Sequence, residues 1–335
     1  MRKSIVAPLV LILVLLMSAC GGGNDSGGSS APSPSSSSSS AAPSDSAAPP
    51  ASPSSSPSAS AAEESGTRIY ESELGPVEVP AHPQRVVVLT RFLTGNVMIL
   101  GVPLVGVDEM SKQNPNFAEK LKDAEVVSED NLEKIIELNP DLIIGPAEVK
   151  NLDTLKEIAP TVVYTYGKVD FKTQQIEIGK LLNKEQEAKD WVADFDARSH
   201  KAGEEIKAKI GADATVSVIE TFNKQLYVYG DNFGRGTEIL YQQFGLHMPA
   251  KVEEATKKDG YFALSTEVME DYMGDYVIFS KDADQDNSFQ HTETYKKIPA
   301  VKNQHVFEAD AKAFYFNDPL SMEYQLDFFI RHFLG

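Results

Sequence analysis

Residues 225–236 read QLYVYGDNFGRG: two tyrosines, a phenylalanine, one arginine and three glycines within a single short stretch. Core strands rarely combine these residues. Catalytic loops rarely carry so many rings with so few acids. Rings offer flat apolar packing surface. A guanidinium offers a planar fork that donates charge-assisted hydrogen bonds to oxygen. The stretch has the chemistry of holding a ligand rather than cleaving one. Gly230, Gly234 and Gly236 fit turns. They are not a phosphate loop, because no Gly-Lys-Ser/Thr follows.

The rest of the chain offers little catalytic equipment. No G-x-S-x-G is present. The six histidines, His82, His200, His247, His291, His305 and His332, are dispersed, without HExxH or His-x-His spacing. Distant residues could still converge on a metal, with His247 in FGLHMP the candidate. KDADQDN at 281–287 lacks the central glycine and closing glutamate of a calcium loop. It reads as a solvated surface loop.

The amino-terminal region says where such a protein works. Arg2 and Lys3 precede an apolar run at 4–17, and MSAC at 17–20 places small residues before Cys20. This is the pattern of a secretory leader, expected over 1–19, with a lipoprotein-type cleavage site. The run is shorter than the ~20 apolar residues of a membrane span. Cys20 is the one cysteine, so it has no disulfide partner. Lipidation at Cys20 is expected. Residues 20–66 are almost entirely Ser, Pro, Ala and Gly, and form a tether that cannot bury a core. The formal net charge is −18, which disfavours nucleic acid as a partner.

The elements that position the aromatic stretch follow from an internal repeat. LEKIIELNPDLIIG at 132–145 and TEVMEDYMGDYVIF at 266–279 each set a glutamate, Glu133 or Glu267, eight residues before an aspartate, Asp141 or Asp275. Each reads as a short helix, a tight turn and a buried strand. An apolar run lies upstream of each, RVVVL at 85–89 and TVSVIE at 215–220. Two α/β lobes are expected, over 67–182 and 211–335. Residues 183–210 between them are rich in Ala, Glu and Lys and lack proline. They predict one helix on the order of 40 Å long. Strand ends facing a shared crevice would make a ligand cleft. A single helical connector resists hinge bending, so closure of only a few degrees is expected.

The chain resembles the siderophore-binding lipoproteins of ABC importers. HPQRVVVL (82–89), NPDLIIG (139–145), IAPTVVY (158–164) and PAVKNQHVF (299–307) carry the resemblance, which spans about 68–335. The stretch 210–246 and FYFNDP at 314–319 resemble the Gram-positive ferric-hydroxamate binders in particular. The resemblance implies an α/β, two-lobed periplasmic-binding-protein fold of class III, with a single helix as backbone. It implies no enzyme activity, no resident cofactor and no metal ligated directly by the protein. The cargo would be a preformed iron(III)–siderophore complex, passed to ABC permease subunits by a monomer anchored through its lipid to the outer face of the membrane.

Residue by residue, the resemblance puts the pocket at Tyr227, Phe233, Arg235 and Tyr315 in the second lobe and Tyr166 in the first. Relatives carry Trp where this chain has Phe233 and Tyr315. Both replacements keep a ring but shrink it, and Phe233 also removes a donor. A ferric trishydroxamate has a net charge near zero, an apolar rim and partly exposed chelating oxygens. Rings suit the rim and Arg235 suits the oxygens. Simpler roles stand beside these. Tyr227 and Tyr229, two apart on a strand, could both be core, and Arg235 could form a surface ion pair. Arg91, after the first strand, could also face the cleft, and a second cleft arginine would favour a more anionic ligand. Glu133 and Glu267 could simply complement helix dipoles. The resemblance implies instead that they dock with permease arginines. Catecholate or carboxylate siderophores, haem and cobalamin are the alternative ligands. A secreted hydrolase or metalloenzyme is the alternative class.

Overall fold

The apolar runs at 85–89 and 215–220 become the middle strands of two five-stranded sheets, one per lobe. The computed structural model describes residues 66–335. The leader, Cys20 and nearly all of the tether lie outside the described residues. The first lobe opens with an antiparallel hairpin, β1 (Thr67–Ser72) and β2 (Gly75–Pro80). Its sheet then contains β3 (Val86–Val88), β4 (Leu104–Val107), β5 (Glu125–Val126), β6 (Leu142–Pro146) and β7 (Thr161–Tyr164). These strands pair in the order β5-β4-β3-β6-β7, all parallel. Every residue of β3, β6 and β7 except Pro146 is buried, and most are Val, Ile or Leu, as expected for parallel strands covered on both faces.

The second lobe contains β8 (Val216–Phe222), β9 (Gln225–Tyr229), β10 (Tyr261–Leu264), β11 (Tyr276–Lys281) and β12 (Val306–Asp310). Their order is β10-β9-β8-β11-β12. β8, β11 and β12 are parallel, while β9 and β10 are antiparallel additions. In both sheets the central strand sits where the strand order reverses, and its carboxyl end is the natural place for a ligand.

The internal repeat has a physical basis. The Asp141 carboxylate accepts the backbone N–H groups of Gln84 at 2.6 Å and Arg85 at 2.9 Å. The Asp275 carboxylate accepts the backbone N–H and the hydroxyl of Thr215, at 2.9 and 2.8 Å. Each aspartate thus ties the start of one strand to the start of the central strand beside it. The Thr215 backbone bond holds the Asp275 carboxyl below its ordinary value, against the opposing effect of burial. The repeat is looser in its helices. Glu133 is the second residue of a helix, Leu132–Glu137, whereas Glu267 precedes a 3₁₀ turn, Met269–Tyr272, instead of opening it.

One helix, Glu185–Ile210, runs between the lobes. It starts two residues later than the sequence pattern suggests, because Asn183 turns the chain with φ +57°. Its buried residues, Ala188, Phe195, Ser199, Ala202, Gly203 and Ile206, recur at helical spacing. Glu185 and Glu187 lie in its first turn and Lys207 and Lys209 in its last, complementing the dipole. Among the described residues no helix is long and apolar enough to cross a membrane.

The lobes are also fused by packing. Met98, Phe117 and Leu121 of the first lobe share one apolar cluster with Ala311, Tyr315 and Phe316 of the second. Gly95 lies in the first-lobe helix Thr94–Ile99, and Asp318 caps the C-terminal helix Pro319–Leu334. A Cβ at Gly95 would sit 1.6 Å from Asp318 Oδ1. That carboxylate is fixed by the backbone of Leu320 and Ser321 and by the Ser321 hydroxyl. Burial pushes its carboxyl up to about 6, against those bonds. The lobes therefore meet at a tight contact with little room to shear.

Candidate functional site

β8 carries an acid where a buried strand should be apolar: Glu220 is fully buried. Tyr227 on β9 and Ser280 on β11 stand directly opposite it. Tyr261 on β10 stands opposite Tyr229. Directly opposed residues share a face of the sheet, as do residues two apart. Glu220, Phe222, Tyr227, Tyr229, Tyr261 and Ser280 therefore share one face near the strand ends.

Arg235 lies over that face. Its Nη2 donates to Glu220 Oε1 at 2.8 Å, and its Nε is 3.3 Å from both carboxylate oxygens. Its Nη1 donates to the Phe233 carbonyl at 3.1 Å. A guanidinium has five N–H donors, so one N–H on Nη1 and one on Nη2 remain. Ser280 and Tyr229 also donate to Glu220, at 2.5 and 3.2 Å. Rings surround the guanidinium: its carbon lies 4.6 Å from the Tyr229 centroid, 5.3 Å from Tyr315 and 5.9 Å from Phe233. Such contacts contribute on the order of 0.5–2 kcal/mol. Burial alone would lower the Arg235 pKa, but the Glu220 charge outweighs it and holds the group above its ordinary value. Arg235 does form an ion pair, but a buried one at the cleft wall, with 13% of its side chain exposed, rather than a surface pair.

The loop that delivers Arg235 is unusual. Gly234, Arg235 and Gly236 all have positive φ, +68°, +57° and +80°. Only glycine adopts this region without cost, so the central arginine is held there by its surroundings. Its backbone N–H donates to the Phe314 carbonyl at 2.9 Å. A Cβ at Gly234 would meet the Tyr315 carbonyl at 2.4 Å, and one at Gly236 would meet the Phe329 ring at 2.4 Å. The buried Glu238 carboxylate closes the loop, accepting from the Gly234 N–H at 3.0 Å and the Asn317 amide at 2.8 Å. Burial raises its pKa, opposed by these bonds.

Tyr315 is oriented from behind. Its hydroxyl donates to Asp282 at 3.1 Å. Asp282 is 7% exposed, so the acidic stretch at 281–287 is not wholly a solvated loop: this one carboxylate turns inward. Burial, then the Glu220 and Asp282 charges, raise the Tyr315 hydroxyl above its ordinary value. Among the described residues no group of three or more His, Cys, Asp or Glu could hold a metal ion.

All six residues singled out in the sequence, Arg91, Tyr166, Tyr227, Phe233, Arg235 and Tyr315, line one cleft of about 290 Å³ between the lobes. Tyr229 and Tyr261 complete its second-lobe wall, and Phe92 and Met110 its first-lobe wall. Tyr229 is 3% exposed and stacks on Phe233 at 5.6 Å, so it is both core and cleft wall. The Arg91 guanidinium packs 4.9 Å from the Phe92 centroid. Glu133 and Glu267 do not join this site; both are exposed on their own lobes.

Cleft, lobes and helical backbone together define a solute-binding protein, and residues 86–313 match the family model described as periplasmic binding protein. The chain belongs to that family. It is 36% identical over 268 residues to the Iron(3+)-hydroxamate-binding protein FhuD of Bacillus subtilis, covering 78% of this chain and 85% of that protein. Among solved structures it is similar to the FhuD protein from S. pseudintermedius, with TM-score 0.73, 34% identity and coverage of 80% of this chain and 98% of that one. FhuD2 from Staphylococcus aureus with bound ferrioxamine B gives TM-score 0.72 and 34% identity, covering 75% of this chain and 98% of that one.

Sequence reasoning missed Glu220, Asp282 and Tyr261. Glu220 had a signal: it is the acid that ends the apolar run TVSVIE. Its pairing with Arg235, fifteen residues on, had none. Replacing Glu220 with Gln leaves the Arg235 charge nearly buried and unpaired. We expect Glu220→Gln to lose about 3–5 kcal/mol of stability, read as a lower urea midpoint. An unchanged midpoint would refute the pairing's structural role.

Proposed function

We propose that the protein captures an iron(III) siderophore of the hydroxamate type in the interlobe cleft and delivers it to an ABC permease without catalysing a reaction. A lipid on Cys20 would hold it to the outer face of the cell membrane. The observation that carries the ligand class is the charge balance at Arg235. Glu220 neutralises the guanidinium while leaving two N–H donors for ligand oxygens. Arg91, at the cleft edge and without a salt-bridge partner among the described residues, adds one positive charge, so the cleft offers hydrogen bonds and rings with about one net positive charge rather than several. That suits a ferric trishydroxamate, whose charge is near zero, better than a triscatecholate complex, which carries about three negative charges and calls for several unpaired cations. The names of the hydroxamate-binding relatives support the same class.

Tyr227, Phe233, Tyr315 and Tyr166 would pack on the rim of the complex, with Arg91 beside its edge. The smaller rings at Phe233 and Tyr315 leave more of the cleft to the ligand than indoles would. Glu133 and Glu267, one exposed carboxylate per lobe, would align the cleft over the permease by pairing with its cations.

The direct test is retention of colour and iron after desalting the protein with ferric desferrioxamine, ferrichrome, a ferric triscatecholate, ferric citrate or haemin. We expect a hydroxamate complex to be kept at about one per chain, and Arg235→Ala to weaken it by roughly 10- to 100-fold, the loss of charge-assisted bonds. Retention of the catecholate alone would keep the transport role and overturn the ligand class. For docking, Glu133→Ala with Glu267→Ala should leave ligand affinity unchanged while iron uptake into cells falls; normal uptake would remove the docking role.

A further inference from the structure

A second cavity, of about 120 Å³, adjoins the cleft and shares Phe92 and Tyr166 with it. Asn96, Glu148 and Gln174 line it from the first lobe, and Asn232 and Asn317 from the second. Two of its side chains are under-bonded. Asn96 is 2% exposed; its amide nitrogen donates to Gln175 at 2.9 Å, and its Oδ1 has no partner. Gln174 Nε2 is also buried without a partner. A buried polar atom left unpaired costs stability, and such atoms are rare unless something else supplies the bond. Gln175 Nε2, on the amide that Asn96 donates to, is a third such atom but does not line the cavity; Asn96 and Gln174 do.

The charge of this cavity is opposite in kind to that of the cleft. Glu148 is its one charged lining residue, and no lysine or arginine lines it. In the cleft, Arg235 is paired with Glu220, but Arg91 has no salt-bridge partner among the described residues and leaves that end positive. A cationic group on a cleft ligand would be repelled from the arginine end and drawn to the carboxylate end. Resting on the siderophore reading above, we propose that this side pocket receives a protonated primary amine carried on a flexible arm of the siderophore. An ammonium has three N–H donors and no acceptor. It can bond Asn96 Oδ1 and pair with Glu148, while Gln174 Nε2 donates to an amide carbonyl of the same arm. The pocket would thus select linear amine-bearing hydroxamates over closed-ring ones.

The test titrates the purified protein with ferric desferrioxamine B, a linear trishydroxamate ending in a primary amine, and with its N-acetylated ferric complex. Acetylation should weaken binding by about five- to tenfold, roughly 1 kcal/mol or slightly more. In Glu148→Gln, an exposed position that should not disturb folding, the two complexes should bind within about twofold of each other. Equal, tight binding of both by the unaltered protein would overturn the side-pocket assignment and leave the siderophore reading intact. An amine preference that survives both Glu148→Gln and Gln174→Leu would also overturn it. Failure of both complexes to bind would bring down the hydroxamate reading and this assignment together.

Discussion

A carboxylate buried in the central strand of a sheet must be paired, and the pairing of Glu220 with Arg235 organises the cleft wall. Glu220 accepts from Arg235, Ser280 and Tyr229, so three strands and one loop converge on a single acid. A buried ion pair is weak as a source of stability, because desolvation offsets most of the attraction. Its value here is geometric. The carboxylate grips one edge of the guanidinium fork, and the remaining edge is left with fixed donors. The Gly234–Arg235–Gly236 reversal, with every residue at positive φ, brings the arginine to that position. Tyr229, Phe233 and Tyr315 fill the space around it. Removing the acid would leave the guanidinium held only by the Phe233 carbonyl and the rings around it.

The rest of the architecture keeps that wall in register with the opposite lobe. The connecting helix is one tie. The shared apolar cluster and the close approach of Gly95 to Asp318 are others. Tyr315 belongs to both systems: it lines the cleft and packs in the interlobe cluster, and Asp282 fixes its hydroxyl. A site shared by two lobes tied in this way would be largely formed before the ligand arrives, which would lower the ordering cost of binding.

Much of this was legible in the sequence because it rests on local signals. The repeated Glu–Asp spacing marked two lobes, and the structure gives Asp141 and Asp275 the same strand-tying role. The proline-free Ala/Glu/Lys stretch marked the connecting helix, missing only the Asn183 turn. The density of rings beside Arg235 suggested a ligand surface, and the family resemblance, not a local signal, picked out the particular residues. What stayed hidden depends on strand order. Glu220 meets Arg235, and Tyr261 meets Tyr229, only because β8, β9 and β10 are neighbours. Asp282 meets Tyr315 only because a loop after β11 folds inward. Periodicity reports which residues are buried, but not which buried residues touch.

The most direct measurement is a crystal structure of the protein with a bound ferric trishydroxamate. The account predicts hydroxamate oxygens about 3 Å from the outward Nη1 and Nη2 donors of Arg235, with the Glu220 pair unbroken and the rings of Tyr227, Phe233 and Tyr315 on the rim of the complex. An arginine that leaves Glu220 to reach the ligand, or a complex seated away from Arg235, would contradict it.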